Sequence, residues 1–263
     1  MYEQYFHLKN TPFDNVPDPY YYFPLPGHEE AAKRILYAIE SHKGAAMLTG
    51  EPGCGKTLLA RTIIQALDRG KYEIGMVNNP LLEGVELHRE ILYQLGINDV
   101  PDNKLDILHT LNDYLLENFK MGKDTIVFID EAHVVKDSVI FEEIRLLLNF
   151  QLNERFLLTI ILLGQPELKE KIKNIWQLDQ RISIKCELKP LTEEEAIAYV
   201  SYRLKKSGAQ RGIFTEEAID IIYERSCGVP RLINNICDLA LLVGYEKKVE
   251  TIGSSIINEI LNL

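Results

Sequence analysis

Residues 28–190 predict a three-layer α/β domain built on a parallel sheet, and the residues beyond Pro190 predict a small all-helical one. Three observations carry that expectation. Short, continuously apolar stretches alternate with longer segments whose apolar residues recur every three or four positions. A glycine-rich turn joins the first apolar stretch to the helix after it. After Pro190 only the helical period remains. Strands that alternate with helices build parallel sheets, because each return to the same sheet end needs a crossover.

Residues 1–27 carry Pro12, Pro17, Pro19, Pro24 and Pro26 among several Tyr and Phe. Prolines at that density oppose a regular helix, so an extended arm is expected, packing its rings on the body. A helix is expected from His28 to Ser41, with Ala32, Ile35, Leu36 and Ile39 on one face. Strands are expected at Ala45–Thr49, Tyr72–Val77, Thr125–Ile129, Leu157–Leu163 and Ile182–Glu187. Between them fall helices at Lys56–Leu67, Gly84–Leu95, Asn103–Phe119 and Val139–Leu152. The third and fourth strands are apolar apart from Thr125 and Thr159, the pattern of strands buried on both faces. In the tail, Thr192 and Glu195 have capping-box spacing at the head of a helix ending near Gly208. Thr215 opens a second helix closed by Gly228, Pro230–Tyr245 makes a third and Ser254–Leu261 a last. The expected division is an arm over 1–27, an α/β core over 28–190 and a helical region over 191–263.

Apolar residues make up 46% of the 263, enough for a sizeable core. A net charge of −10 disfavours a surface given over wholly to nucleic acid, while leaving room for a local basic strip. No basic segment followed by an apolar run opens the chain, and no apolar stretch approaches the roughly 20 residues that span a bilayer. A soluble, cytoplasmic chain is expected. Cys54, Cys186, Cys227 and Cys237 lack CxxC spacing, which points to neither a disulfide framework nor a zinc site.

Gly50-Glu51-Pro52-Gly53-Cys54-Gly55-Lys56-Thr57 fits GxxxxGK[ST] between a strand and a helix. Glycines there let backbone amides turn inward around a phosphate, and the helix N-terminus adds partial positive charge. Lys56 is placed to reach the β- and γ-phosphates of ATP, Thr57 to ligate Mg²⁺, and the binding run extends to Leu58. Cys54 reads as a small residue whose backbone matters. Ile126–Ile129 then ends in Asp130 and Glu131, the Walker B arrangement. Asp130 is the second candidate Mg²⁺ residue, and Glu131 the group that orients or deprotonates the attacking water. His133 completes the letters of a helicase motif, but no other helicase signal accompanies it.

Three further polar positions follow in order. Gln165, at the tip of the fourth strand, is placed to sense the γ-phosphate. Arg181, just before the last strand, is a candidate finger projecting into a neighbouring subunit's site, where a guanidinium offsets developing charge. Arg231 opens the third tail helix, where a cation opposes the helix dipole unless an anion balances it. These readings make ATP and Mg²⁺ the expected ligands and a homo-oligomer the expected assembly.

Taken together, the two Walker motifs, the ordered polar positions and the helical lid resemble the AAA+ superfamily, a three-layer P-loop NTPase core with a parallel sheet followed by a small all-helical lid domain. More narrowly the chain resembles the general secretion pathway protein A (ExeA-type) ATPases. The carrying residues include Tyr2–Leu8, Pro12-Phe13, Pro17–Pro19, His28–Ala31, Gly164–Leu168, Gln180–Ile182, Pro190-Leu191 and Gly228–Asn234. The resemblance implies that His28 lies near the adenine, with Pro230 and Ile233 on its other side. It implies that Asn78, beside Asn79, restrains Glu131 until a partner binds. It implies a ring, in the family's habit a hexamer, serving envelope secretion, pilus or export machinery at the inner face of the cell membrane. Longer members add a membrane segment and a peptidoglycan-binding domain after the ATPase; this chain shows neither before Leu263. The alternative reading is a DNA-bound ATP-dependent switch of the transposition-regulator type, for which Lys205, Lys206 and Arg211 form a small basic cluster. A regulatory binder that holds ATP with negligible turnover is a third.

Overall fold

Five parallel strands form the sheet, in the order β2-β3-β4-β1-β5. The structure, a computed structural model, describes all residues except 79, 81–83, 136–137, 154 and 262–263. Asn79, the neighbour of the candidate restraint Asn78, therefore lies outside the described residues. Along the chain the elements are α1 (Tyr2–Tyr5), a 3-10 turn (Pro19–Tyr21), α2 (Pro26–Glu40), β1 (Ala45–Gly50), α3 (Lys56–Ala66) and β2 (Tyr72–Val77). They continue with α4 (Gly84–Gln94), α5 (Lys104–Lys120), β3 (Asp124–Ile129), a second 3-10 turn (Ala132–Val134), α6 (Ser138–Leu147) and β4 (Leu158–Gly164). Last come α7 (Glu167–Lys173), α8 (Trp176–Asp179), β5 (Ile182–Leu188), α9 (Glu193–Lys206), α10 (Glu216–Ser226), α11 (Pro230–Glu246) and α12 (Ser254–Leu261).

The chain divides into two compact units. One comprises Pro26–Gly50 and Leu59–Leu188 and holds the whole sheet; the other comprises Met1–Leu25, Glu51–Leu58 and Lys189–Leu263. The arm and the phosphate loop thus group with the tail helices, a partition that spacing alone does not reveal.

In the sheet unit, alternate residues of the central strands face opposite ways. Met47, Val127, Ile129, Ile160 and Leu162 join one apolar cluster with Leu87, Ile91, Leu111 and Ile144 of the helices. The intervening Leu48, Ile126, Phe128, Ile161 and Leu163 are equally buried, so both faces are covered. This is the three-layer arrangement that the continuous apolar runs predicted. Strand β5, at the sheet edge, alternates buried and exposed positions. Helix α6 ends at Leu147, short of the expected Leu152. There the chain turns back through an antiparallel bridge between Gln151 and Phe156. Helices α7 and α8 carry no sequence signal, since seven and four residues are too few to show a period.

In the helical unit, Tyr2, Phe6, Leu8, Phe13 and Leu25 of the arm share one core with Leu204, Ile222, Leu241 and Ile257. The expected wholly extended arm is corrected: it contains α1 and a 3-10 turn. The prolines permit both, because α1 precedes the first of them and Pro19 sits at the first turn position, where no amide donor is needed. Arg203 staples the arm down from within. Its buried guanidinium donates to the Pro12 and Asp14 carbonyls and to the Tyr199 hydroxyl at 2.5, 3.0 and 2.8 Å. It also lies 4.6 Å from the Tyr21 ring centroid, within cation–π range.

The predicted capping box on α9 is present. The Glu195 amide donates to Thr192 Oγ1 at 3.3 Å and the Thr192 amide donates to Glu195 Oε2 at 2.9 Å. Thr192→Ala should cost about 1 kcal/mol of the helical unit's stability in urea titration, with Thr192→Ser near wild type.

Candidate nucleotide site

The phosphate loop begins where β1, buried along its whole length, ends at Gly50. Residues 51–55 turn sharply, with φ of +87° at Gly53 and +93° at Gly55, and α3 starts at Lys56. Lys56 is buried, and its ammonium donates to the Glu51 carbonyl at 3.0 Å, back across the loop's own turn. The predicted lid arginine meets this loop: the Arg231 amide donates to the Gly53 carbonyl at 3.4 Å. The approach is so close that a Cβ on Gly53 would stand 2.6 Å from Arg231 Cβ, hence glycine there. Arg231 is exposed and follows Pro230, the first residue of α11. Cys54 is fully enclosed, and burial pushes its thiol above the ordinary range despite nearby Lys56. It is a small packed residue, not a poised nucleophile.

In the sheet unit, parallel pairing brings the C-terminal ends of β1, β3 and β4 to one edge, with Thr49 opposite Gly164 and Ile129 opposite Leu162. From that edge emerge Asp130, Glu131 and Gln165. Asp130 is buried; its amide donates to the Val77 carbonyl at 2.8 Å, and its Oδ1 accepts from the Glu131 amide at 2.9 Å. Glu131 adopts a left-handed backbone, φ +53° and ψ +31°, and its Oε2 lies 3.2 Å from His133 Nδ1. Such a conformation is uncommon for a non-glycine residue and turns the side chain away from the strand direction. Gln165 is half-buried one residue past β4, and Arg181 half-buried one residue before β5. Asn78 is exposed immediately after β2, while His28 is buried within α2. Ile233, implied to face a base, is fully buried in the helical unit's core.

Within the helical unit, the loop residues suit an anion such as a triphosphate. Loop amides opened by positive φ, a buried lysine and an adjacent exposed arginine form an anion cradle. Thr57, in the helical unit, and Asp130, in the sheet unit, each carry oxygen of the hard type that Mg²⁺ prefers.

Residues 39–172 match the AAA domain family, and the chain belongs to it. Its sequence is 37% identical over 250 residues to general secretion pathway protein A of Aeromonas hydrophila, a match covering 94% of this chain and 45% of that protein. That relative bears out the narrower resemblance, although the chain spans less than half of its length. Among solved structures, Drosophila ORC bound to DNA superposes with a TM-score of 0.74 at 17% identity, over 99% of this chain and 65% of that one. The Aeropyrum pernix ORC2 protein in its ADPNP–ADP complexes gives 0.70 at 18%, over 95% and 71%. Thermotoga maritima RuvB gives 0.61 at 19%, over 90% and 69%. These distant likenesses establish the fold, as the sequence predicted it. Among the described residues no helix is long and apolar enough to cross a membrane.

Proposed function

We propose that this chain is an ATP-hydrolysing subunit that drives assembly or operation of a cell-envelope secretion, pilus or export system. The observation that carries the reading is the phosphate loop itself, with buried Lys56 behind it and Arg231 seated against Gly53. Lys56 neutralises the β- and γ-phosphates, and Arg231 senses their charge from the lid helix. Thr57 and Asp130 would hold Mg²⁺, whose charge would screen that of the phosphates. Glu131 takes a proton from, or aligns, the attacking water, and Gln165 steadies it. Arg181 serves the next subunit of a ring, a hexamer by family habit. His28 and Pro230 flank the base, and Asn78 restrains Glu131. The envelope setting draws on the general secretion pathway relative, and nucleotide binding on the company of a neighbour solved with ADPNP and ADP.

The DNA-switch reading gains little from the basic cluster. Arg211 pairs with Glu250 at 2.8 Å, and the Lys206 ammonium lies 4.5 Å from the Tyr20 ring centroid, so both charges are engaged within the helical unit. Turnover stimulated by double-stranded DNA and lost steeply with salt would restore that reading.

Glu131→Gln tests the hydrolytic assignment. Steady-state turnover should fall by roughly 10²-fold, the general-base share, while ATP affinity stays within about threefold. Equal turnover in variant and wild type would leave a nucleotide binder and remove Glu131 from the chemistry.

A further inference from the structure

The turn that follows β3 is held from outside by one lysine. Lys171, on α7, donates from its ammonium to the carbonyl oxygen of His133 and, at 2.8 Å, to that of Val135. A single 3-10 turn leaves its last carbonyls without partners of its own, so these are groups in need of a donor. The entry to the turn is Glu131, whose left-handed backbone persists only where the surroundings impose it. Two sets of contacts do so. Ala132 and Val135 are buried in the same apolar cluster as Leu168 and Ile172 of α7, and Lys171 binds the turn's exit. His133, whose carbonyl Lys171 holds, also places its Nδ1 3.2 Å from Glu131 Oε2. Helix α7 itself starts two residues after Gln165, at the end of β4. There the His133 amide is 3.2 Å from the position a Cβ on Gly164 would take.

We infer that Lys171 is a positioning residue: it fixes the orientation of the Glu131 carboxylate and ties it to the segment carrying Gln165. This rests on the hydrolytic reading of Glu131 given above. The water-activating group and the γ-phosphate sensor then move as one piece, joined by an ammonium that touches neither nucleotide nor water. A lysine that only capped the turn would support folding without touching the rate at each folded site.

The test uses three variants of the full chain. Lys171→Met keeps the aliphatic stem and removes the donor; Lys171→Arg keeps donor and charge; Lys171→Gln keeps a neutral donor. Turnover and KM for ATP are measured per nucleotide site, with sites counted by titration with a fluorescent ADP. Lys171→Met should lower kcat about tenfold, a loss of the size that small misplacements cause, with KM and ADP affinity within about twofold. Lys171→Arg should recover most of the rate and Lys171→Gln a part. An unchanged kcat per site in Lys171→Met, or an Arg variant as slow as the Met variant, overturns the proposal. If Lys171→Met does not fold, Lys171→Leu takes its place as the variant without a donor, and an unchanged kcat per site there overturns the proposal. Glu131→Gln is run alongside. Should it turn over like wild type, the hydrolytic reading has failed and the Lys171 role falls with it, an outcome distinct from a failure confined to Lys171.

Discussion

Arg181→Ala is expected to bind ATP within about threefold of wild type yet lose about 10³-fold or more in hydrolysis, the range set by fingers that act in trans. The ordinary explanation of a half-buried arginine is a salt bridge to a neighbouring carboxylate. None of the ion pairs among the described residues involves Arg181, and its Nη1 is buried without a hydrogen-bond partner there. A buried donor without a partner is costly to maintain unless something else uses it. Its place adds to this: Arg181 follows the four-residue α8 and precedes β5, the edge strand of the sheet. Mixing supplies the decisive comparison. A head-to-tail ring of Arg181→Ala and Lys56→Ala subunits rebuilds one intact site wherever the first kind presents its loop to the second kind's arginine. Random mixing in equal amounts makes that order about a quarter of all interfaces, so activity should return to roughly a quarter of the wild-type level. No recovery, with both proteins folded and co-assembling, would exclude a shared site.

Much of this is legible in the sequence. Apolar runs such as Thr125–Ile129 announced buried parallel strands, because a strand with helices on both faces has no polar side to show. GxxxxGK[ST] announced the loop, because few residues other than glycine take the positive φ found at Gly53 and Gly55. What escaped was of two kinds. Short elements such as α7 and α8 carry no period, and yet they place Lys171 and Arg181. The left-handed backbone at Glu131 has no sequence signal either, since glutamate does not ordinarily adopt it and tertiary contacts impose it. The grouping of arm, loop and tail helices was hidden for a related reason. It is made by long-range bonds such as Arg203 to Pro12, and by Asn234 Nδ2 to Asn15 Oδ1 at 3.1 Å, which no local pattern records.

That grouping gives a consequence for the lid arginine. Anything that shifts the tail helices shifts the residue touching Gly53, because Arg231 sits at the second position of α11 and its amide binds the loop carbonyl directly. The asparagine that engages the arm, Asn234, lies on the same helix, and it accepts from the Tyr199 hydroxyl at 2.9 Å. The contact to the arm and the contact to the phosphate loop are therefore made by the same helix.

Gly228→Ala should be strongly destabilising. Helix α10 ends in two successive left-handed residues, Cys227 at φ +49° and Gly228 at φ +72°. A Cβ at 228 would stand 2.1 Å from the Leu191 carbonyl oxygen, a backbone atom with no rotamer to yield. The same two residues share a hydrogen bond, Leu191 N to Gly228 O at 2.8 Å, so relief by moving apart sacrifices it. Left-handed strain of about 1–2 kcal/mol, a lost hydrogen bond of about 1 and the unrelieved clash sum to roughly 3–4 kcal/mol. At about 2–4 °C per kcal/mol for a chain of this size, Tm should drop by roughly 6–16 °C. Gly212→Ala, with nothing within 4 Å of its added carbon, is the matched control and should stay within about 0.5 kcal/mol of wild type. The clash has a second effect. Val229, Pro230 and Arg231 follow directly, so any adjustment at 228 displaces the arginine from Gly53. ATP affinity of Gly228→Ala, measured well below its melting point, should therefore fall as well. A variant that melts within about 2 °C of wild type and binds ATP normally would mean that Leu191 does not stand against Gly228.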